Sequence, residues 1–213
     1  MALSKIDVAN MVTGEIPNAN VATVGVAKGG TGLTSGTTNQ FLKFTGSTTL
    51  ASAADNEGGI TVADQFRVNA TFTNDALPIT SNWERIDTSG QGGLTGSQMS
   101  ESSGIYTFPS TGIYLVRFTA GCRAYSGNSE TQFEVHIQVT TNNSDYASVA
   151  ESHACGSGSN SDTSTVAETL IDVTSTSNVK VRVGVNCAAS NSMTLAGSAK
   201  NDNSLTFLRI GDT

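Results

Sequence analysis

The chain has 213 residues, a net charge of −7, and an apolar content of only 37%. It contains no cluster of Lys or Arg, which excludes nucleic acid and anionic membrane surfaces as main partners, because both demand concentrated positive charge. Abundant Ser, Thr and Asn, with 22 Gly, argue against a helical bundle and suit short strands joined by many turns.

The opening Met1-Ala-Leu-Ser-Lys-Ile-Asp7 lacks the charged start and apolar centre of a signal peptide. No run nears the ~20 apolar residues of a membrane span. A chain made and folded in a cytoplasm, with no membrane insertion, is expected. Residues 1–55 scatter small apolar residues between turn formers, and no single copy builds a core from them. Phe41, Leu42, Phe44 and Leu50 need partners from elsewhere. Three copies wound side by side would supply them. Gln40 to Phe44 reads as a strand.

Three elements stand out here: Ile16-Pro-Asn-Ala-Asn-Val21, Lys28-Gly-Gly-Thr-Gly32, and Ser35-Gly-Thr-Thr-Asn-Gln-Phe-Leu-Lys43. Together they resemble the N-terminal and shaft regions of bacteriophage fibre proteins. The stretch from Met1 to Asn20 also resembles the start of marine phage structural proteins. The resemblance implies a virion protein whose first 55 residues attach to other virion proteins and form a collar or shaft.

Residues 56–63 read as a joint, and from Asp64 strands become dense. Phe66, Val68, Ala70 and Phe72 alternate, and Trp83 and Ile86 follow a turn near Pro78. Tyr106 and Phe108 share one face. Pro109-Ser-Thr-Gly112 reads as a turn, Pro supplying the fixed φ of its first central position. Tyr114, Val116, Phe118, Ala120 and Cys122 then line an apolar face, the period of a half-buried strand. Phe133 to Val139, Val179 to Cys187, and Leu205 to Ile210 repeat that pattern. Turn clusters lie at Tyr125–Ser129, Thr141–Asp145, Cys155–Ser164 and Ala188–Ser192. Many short strands with regular turns indicate a β-sandwich.

The block from Gly104 to Phe118 resembles the signature of the C1q/TNF-like jelly-roll head. Phe66, the Trp83/Ile86 pair and the closing strand extend the likeness. Ser175-Thr-Ser-Asn178 replaces the usual Gly-Asp, and there is no collagen-like stalk. The resemblance implies an all-β jelly-roll sandwich over residues 64–213, behind an extended fibre-like N-terminal segment, assembled as a homotrimer. Ile113, Leu115, Leu170 and Leu208 lie opposite their strands' core residues. With Phe41 and Phe44 they are the expected trimer interface. Tyr125, Asn128, Asn142, Tyr146 and Asn160 are the candidate surface-binding loop residues.

There is no Gly-x-Ser-x-Gly elbow and no phosphate loop. Gly29-Gly-Thr-Gly32 lacks the spacing of a dinucleotide fingerprint. His136 reads as an outward strand residue and His153 as lying beside a loop. His153 and Cys155 offer two metal ligands where a structural zinc wants about four. Asp145, Asp162, Asp172 and Asp202 form no Ca²⁺ ligand ladder. The three cysteines are an odd number, with Cys122 and Cys187 on apolar faces as buried thiols and Cys155 in a loop. A non-enzyme without cofactor or metal is expected.

The resulting expectation is a homotrimeric short tail fibre of a phage virion, with a head that binds a host surface glycan or protein. The alternative is a capsid or tail decoration protein that stabilises the particle and binds no receptor.

Overall fold

A computed structural model of the chain describes residues 40–44, 50–53, 59–125, 127, 129–156, 158, 160–188 and 193–213. The fibre-like motifs of residues 1–39, and Asn128, lie outside these. Every regular element among the described residues is a strand, as the composition requires. The chain divides into two units, Met1–Gly59 and Ile60–Thr213.

In the first unit, β1 (Phe41–Phe44) pairs antiparallel with β2 (Leu50–Ala53). Phe44 stands opposite Leu50 and Phe41 opposite Ala53. The strand expected at residues 40–44 is therefore present, and its backbone partner is its own chain. Phe41 and Phe44 are each 64% exposed. A lone two-stranded hairpin buries too little to be stable alone.

The second unit begins its first long strand, β3 (Val62–Val68), inside the stretch read as a joint. Val62, Asp64, Phe66 and Val68 all face inward. The strand stops at Val68. Ala70 is exposed and Phe72 belongs to the two-residue β4 (Phe72–Thr73), so the alternation read through Ala70 does not continue as one strand. There follow β5 (Trp83–Arg85), β6 (Leu94–Gly96), β7 (Ser100–Ser102), β8 (Ile105–Thr107) and β9 (Gly112–Arg123). The remainder are β10 (Phe133–Thr140), β11 (Ala147–Ala154), β12 (Asp162–Val173), β13 (Lys180–Cys187), β14 (Met193–Thr194) and β15 (Ser204–Gly211).

Two antiparallel sheets face each other. One runs β11-β10-β13-β8-β7. The other is built on β9, which pairs β12 along one edge and both β14 and β15 along the other; β15 then pairs β3, which pairs β5 and β6. The edge strands β11 and β12 meet through a hydrogen bond between the hydroxyls of Ser152 and Thr165 at 2.5 Å.

The core lies between the sheets and follows the alternation in the sequence. Tyr114, Val116, Phe118, Ala120 and Cys122 of β9 are fully buried, as are Phe133, Val135 and Ile137 of β10. The Phe207 ring lies 5.3 Å from Tyr106, 6.1 Å from Phe108 and 6.4 Å from Phe66. It therefore joins aromatic residues contributed by both sheets. The Pro109 turn is held by the Tyr114 hydroxyl, which donates to the Ser110 carbonyl at 3.1 Å.

Two charged residues of β3 are buried on opposite faces of the strand, Asp64 toward the core and Arg67 away from it. Asp64 faces inward, and its carboxylate accepts from Arg85 Nε at 2.9 Å and from the Met99 amide at 2.8 Å. The Arg85 guanidinium also stacks 4.7 Å over the Phe66 ring. Arg67 is buried under residues 84–91 and donates to Glu84, Asp87, Thr88 and Gln91. Neither charge is left bare, as burial demands.

Glycine is required at Gly184. A Cβ there would sit 2.5 Å from the Ala76 carbonyl and 2.7 Å from the Leu77 Cα, because residues 76–79 cross β13 at this point.

Candidate functional site

The exposed face of the β12-β9-β15-β3 sheet carries the clearest unexplained surface. Pairing register places Leu170 opposite Leu115, Leu115 opposite Leu208, and Leu208 opposite Ala63. These four residues form one continuous apolar row across four strands. Leu170 is 59% exposed, while Leu115 and Leu208 are half-buried within one copy. Ile113 lies two residues from Leu115 on the same face. Ile210 is 54% exposed at the irregularity near the end of β15.

The next row is polar. Glu168 stands opposite Arg117, Arg117 opposite Thr206, and Thr206 opposite Gln65. Gln65 Nε2 donates to Thr206 Oγ1 at 2.8 Å, and Arg117 lies 4.0 Å from Glu168. A shallow cavity of about 270 Å³ spans both rows, lined by Leu115, Arg117, Glu168, Thr206 and Leu208 among others. The geometry is that of a surface with an apolar band and a polar border, the layout of protein–protein interfaces.

The four head leucine and isoleucine positions expected at an interface are thus brought onto one face. Phe41 and Phe44 belong to the other unit. Ala63 was missed, because it joins the row only through the β3–β15 register, which sequence does not reveal.

The candidate loop residues are not brought together. Tyr125 follows β9, and Asn160 precedes β12, at the end of the sandwich where Arg123 pairs with Asp162. Asn142 and Tyr146 lie in the β10–β11 connection at the opposite end. Asn142 is committed to its own turn: its Oδ1 accepts from the Ser144 and Asp145 amides, each at 2.9 Å. Tyr146 carries the Arg182 guanidinium stacked 4.1 Å over its ring. Tyr125 is 50% exposed.

The histidines stand differently from the sequence reading. His153 lies beside the loop that starts at Cys155, as read, but within β11 and directly opposite Glu134. His136 does face away from the core, yet it is only 6% exposed. A chain of contacts runs from Glu151 to His136 Nδ1 at 3.2 Å, from His136 Nε2 to Glu134 at 3.2 Å, and from Glu134 to His153 at 3.3 Å. Asn186 Nδ2 also donates to Glu134. Burial works against the charge on Glu134, but hydrogen bonds from Asn186, Gln132 and His136, with the nearby His153, outweigh it and hold the carboxyl below its ordinary value. Asp162 is held low by the hydrogen bonds from Arg123, at 2.5 and 2.7 Å.

A carboxyl whose pKa is depressed by folding stabilises the fold above its unfolded pKa, and that stability is lost as pH falls through the folded value. The thermal midpoint is therefore expected to hold from pH 7 to about pH 5 and to fall on further acidification. Glu134→Gln should flatten part of that fall. A midpoint unchanged down to pH 3 in the native chain would contradict the assignment.

The four aspartates considered for calcium are scattered. Asp162 and Asp172 lie at opposite ends of β12, about 33 Å apart at ~3.3 Å per residue. Among the described residues, one group does bring three possible metal-ligating side chains together: Cys122, Glu130 and Cys187, whose ligand atoms all lie within 4.8 Å of one another. The hydrogen bond that the Cys187 thiol donates to Cys122, and then burial, push that thiol far above its ordinary value. Cys155 is exposed.

No protein-family model matches the sequence. No curated protein matches it either. Among solved structures, Eiger TNF from S. frugiperda superposes with a TM-score of 0.52 at 13% identity, covering 73% of this chain and 96% of that one. A crystal structure of murine APRIL at pH 5.0 superposes with a TM-score of 0.50 at 9% identity, covering 70% of this chain and 98% of that one. Identities this low speak to the fold alone: the chain carries an all-β, TNF-like jelly roll.

Proposed function

We propose that the protein is a homotrimeric short fibre of a phage virion. Its first 55 residues attach to other virion proteins, and its jelly-roll head contacts a host surface glycan or protein. The observation that carries the trimer is the row Leu170, Leu115, Leu208 and Ala63. A chain this polar has no reason to align three leucines and an alanine across four strands, with Leu170 exposed, unless something covers them. Three copies packed through this sheet cover them, with the Arg117 and Glu168 row as a polar border. The fibre-like elements at residues 16–43 support the virion role.

The head acts by binding and performs no chemistry. Its loops offer hydroxyls, amides and the exposed Tyr125 for weak hydrogen bonds and stacking. Joining several such sites raises avidity by ~10²–10⁴ without new contacts, provided they engage together. Sedimentation equilibrium of the full chain tests the assembly, with about three chain masses expected. Labelled trimer should bind host cells over unrelated cells. A single-chain mass, or equal binding to both, removes the corresponding half of the proposal.

The decoration role is the second reading. The commitment of Asn142 to its own turn favours it, as does the separation of the loop residues between opposite ends of the sandwich. Imaging of labelled virions separates the two, with label at the tail periphery supporting adsorption and label on capsid faces supporting decoration.

A further inference from the structure

The group formed by Cys122, Glu130 and Cys187 lies at one end of the sandwich, where three separate segments converge. Cys122 comes from the last turn of side chains on β9, Glu130 from the β9–β10 connection, and Cys187 from the end of β13. Glu130 is fully buried. Its Oε1 is fixed by the Ala188 amide at 2.8 Å and the Gln132 amide at 3.3 Å. Its own carbonyl accepts from the Gly156 amide at 2.6 Å. Cys187 is fixed through its amide, which donates to Asp75 Oδ1 at 2.7 Å. The donor set is thus held by contacts behind it, as metal ligands commonly are.

A second observation points into the same space. Thr194 stands opposite Cys122 in the β14–β9 pairing, so the two side chains share a face. Thr194 is fully buried, and its Oγ1 has no hydrogen-bond partner among the described residues. A buried hydroxyl without a partner is costly unless a ligand or water completes it. Solvent reaches Cys187 through a depression of about 190 Å³, lined by Gln132, Glu134, Asn186, Cys187 and Ala188.

We propose that Cys122, Cys187 and Glu130 bind a thiophilic divalent cation of the zinc class, in a site completed by a water bonded to Thr194. The third ligand, Glu130, and the unpartnered Thr194 hydroxyl favour a metal over a disulfide. With metal–sulfur bonds of about 2.3 Å, two sulfurs on a coordination tetrahedron stand about 3.8 Å apart. The three ligand atoms lie within 4.8 Å of one another, close enough for one ion to reach all of them. A disulfide requires closure to about 2.05 Å and the joining of two sheets. On binding, each thiol loses its proton to solvent as its sulfur takes up the metal, and the carboxylate donates one oxygen, with no change of oxidation state.

The test uses the full chain, reduced and stripped of metal, and titrated with Co²⁺ and then Zn²⁺. One Co²⁺ per chain is expected, with sulfur-to-cobalt charge transfer and tetrahedral visible bands that one equivalent of Zn²⁺ abolishes. Cys122→Ser and Cys187→Ser should each lose the two-thiolate charge-transfer intensity, and Cys155→Ser should keep it. Should the buried-site variants fail to fold, X-ray absorption of the Zn²⁺-loaded native chain still decides. Two sulfurs at about 2.3 Å and a shell of oxygen near 2.0–2.2 Å support the site. A shell of nitrogen and oxygen alone, a charge-transfer band that depends on Cys155, or a Cys122–Cys187 disulfide in a chain that binds no metal would each overturn it.

Discussion

Replacing Leu115 with Asp is expected to turn the proposed trimer into a well-folded single chain. Leu115 projects from the exposed face of β9, while its neighbours Tyr114 and Val116 fill the core. The substitution therefore leaves the sandwich intact. Leu115 is already half-buried in one copy, so the substitution removes from the assembly only part of the about 1.5–3 kcal/mol that full burial is worth. It also desolvates a carboxylate, at a cost of several kcal/mol per ion. A threefold assembly has three equivalent interfaces, so the penalty is incurred three times. Every ~1.4 kcal/mol is a tenfold change in association, and dissociation at micromolar concentration follows. Sedimentation should show one chain mass with an unchanged far-ultraviolet spectrum. Arg117→Ala, in the polar row beside it, should leave the trimer in place. A Leu115→Asp protein that still sediments as three chains would move the interface off this face.

Phe207→Ala is expected to damage the fold itself. The ring sits among Phe66, Tyr106 and Phe108 and is fully buried. Its removal costs about 3–5 kcal/mol, since the surrounding rings cannot fill the space. That is a large share of the ~5–15 kcal/mol that holds an ordinary domain together. At about 2–4 °C per kcal/mol for a domain of this size, the thermal midpoint should fall by roughly 6–20 °C. Leu208→Ala, one residue on but pointing to the opposite face, should affect the midpoint of dissociated chains far less. Equal losses at both positions would show that the core does not lie where the alternation of β15 puts it.

The strands read correctly from the sequence are those with one fully buried face. β9 alternates cleanly from Tyr114 to Cys122 because the core requires it to. β11 escaped notice because Ala147 to Ala154 offers only a weak apolar face, with Ala150 alone packed against the core. It is an edge strand, held by its backbone pairing with β10 and by polar cross-strand contacts such as Glu134 with His153. The start of β12 hid inside the Cys155–Ser164 turn cluster for the same reason. Asp64 and Arg67 also gave no sign of burial, because the partners that make burial tolerable, Arg85 and residues 84–91, lie about 20 positions along the chain.

Local alternation and turn chemistry therefore determined the all-β class, the core residues of β9, β10, β13 and β15, and the leucines that face away from that core. Both are properties of neighbours in sequence, and a period of two is legible within a single strand. The alignment of Leu170, Leu115, Leu208 and Ala63 into one row was decided by the pairing register of four strands. The convergence of Cys122, Glu130 and Cys187 was likewise decided by where the chain crosses between sheets. Register and crossing are fixed by contacts between distant residues, so only the folded structure contains them.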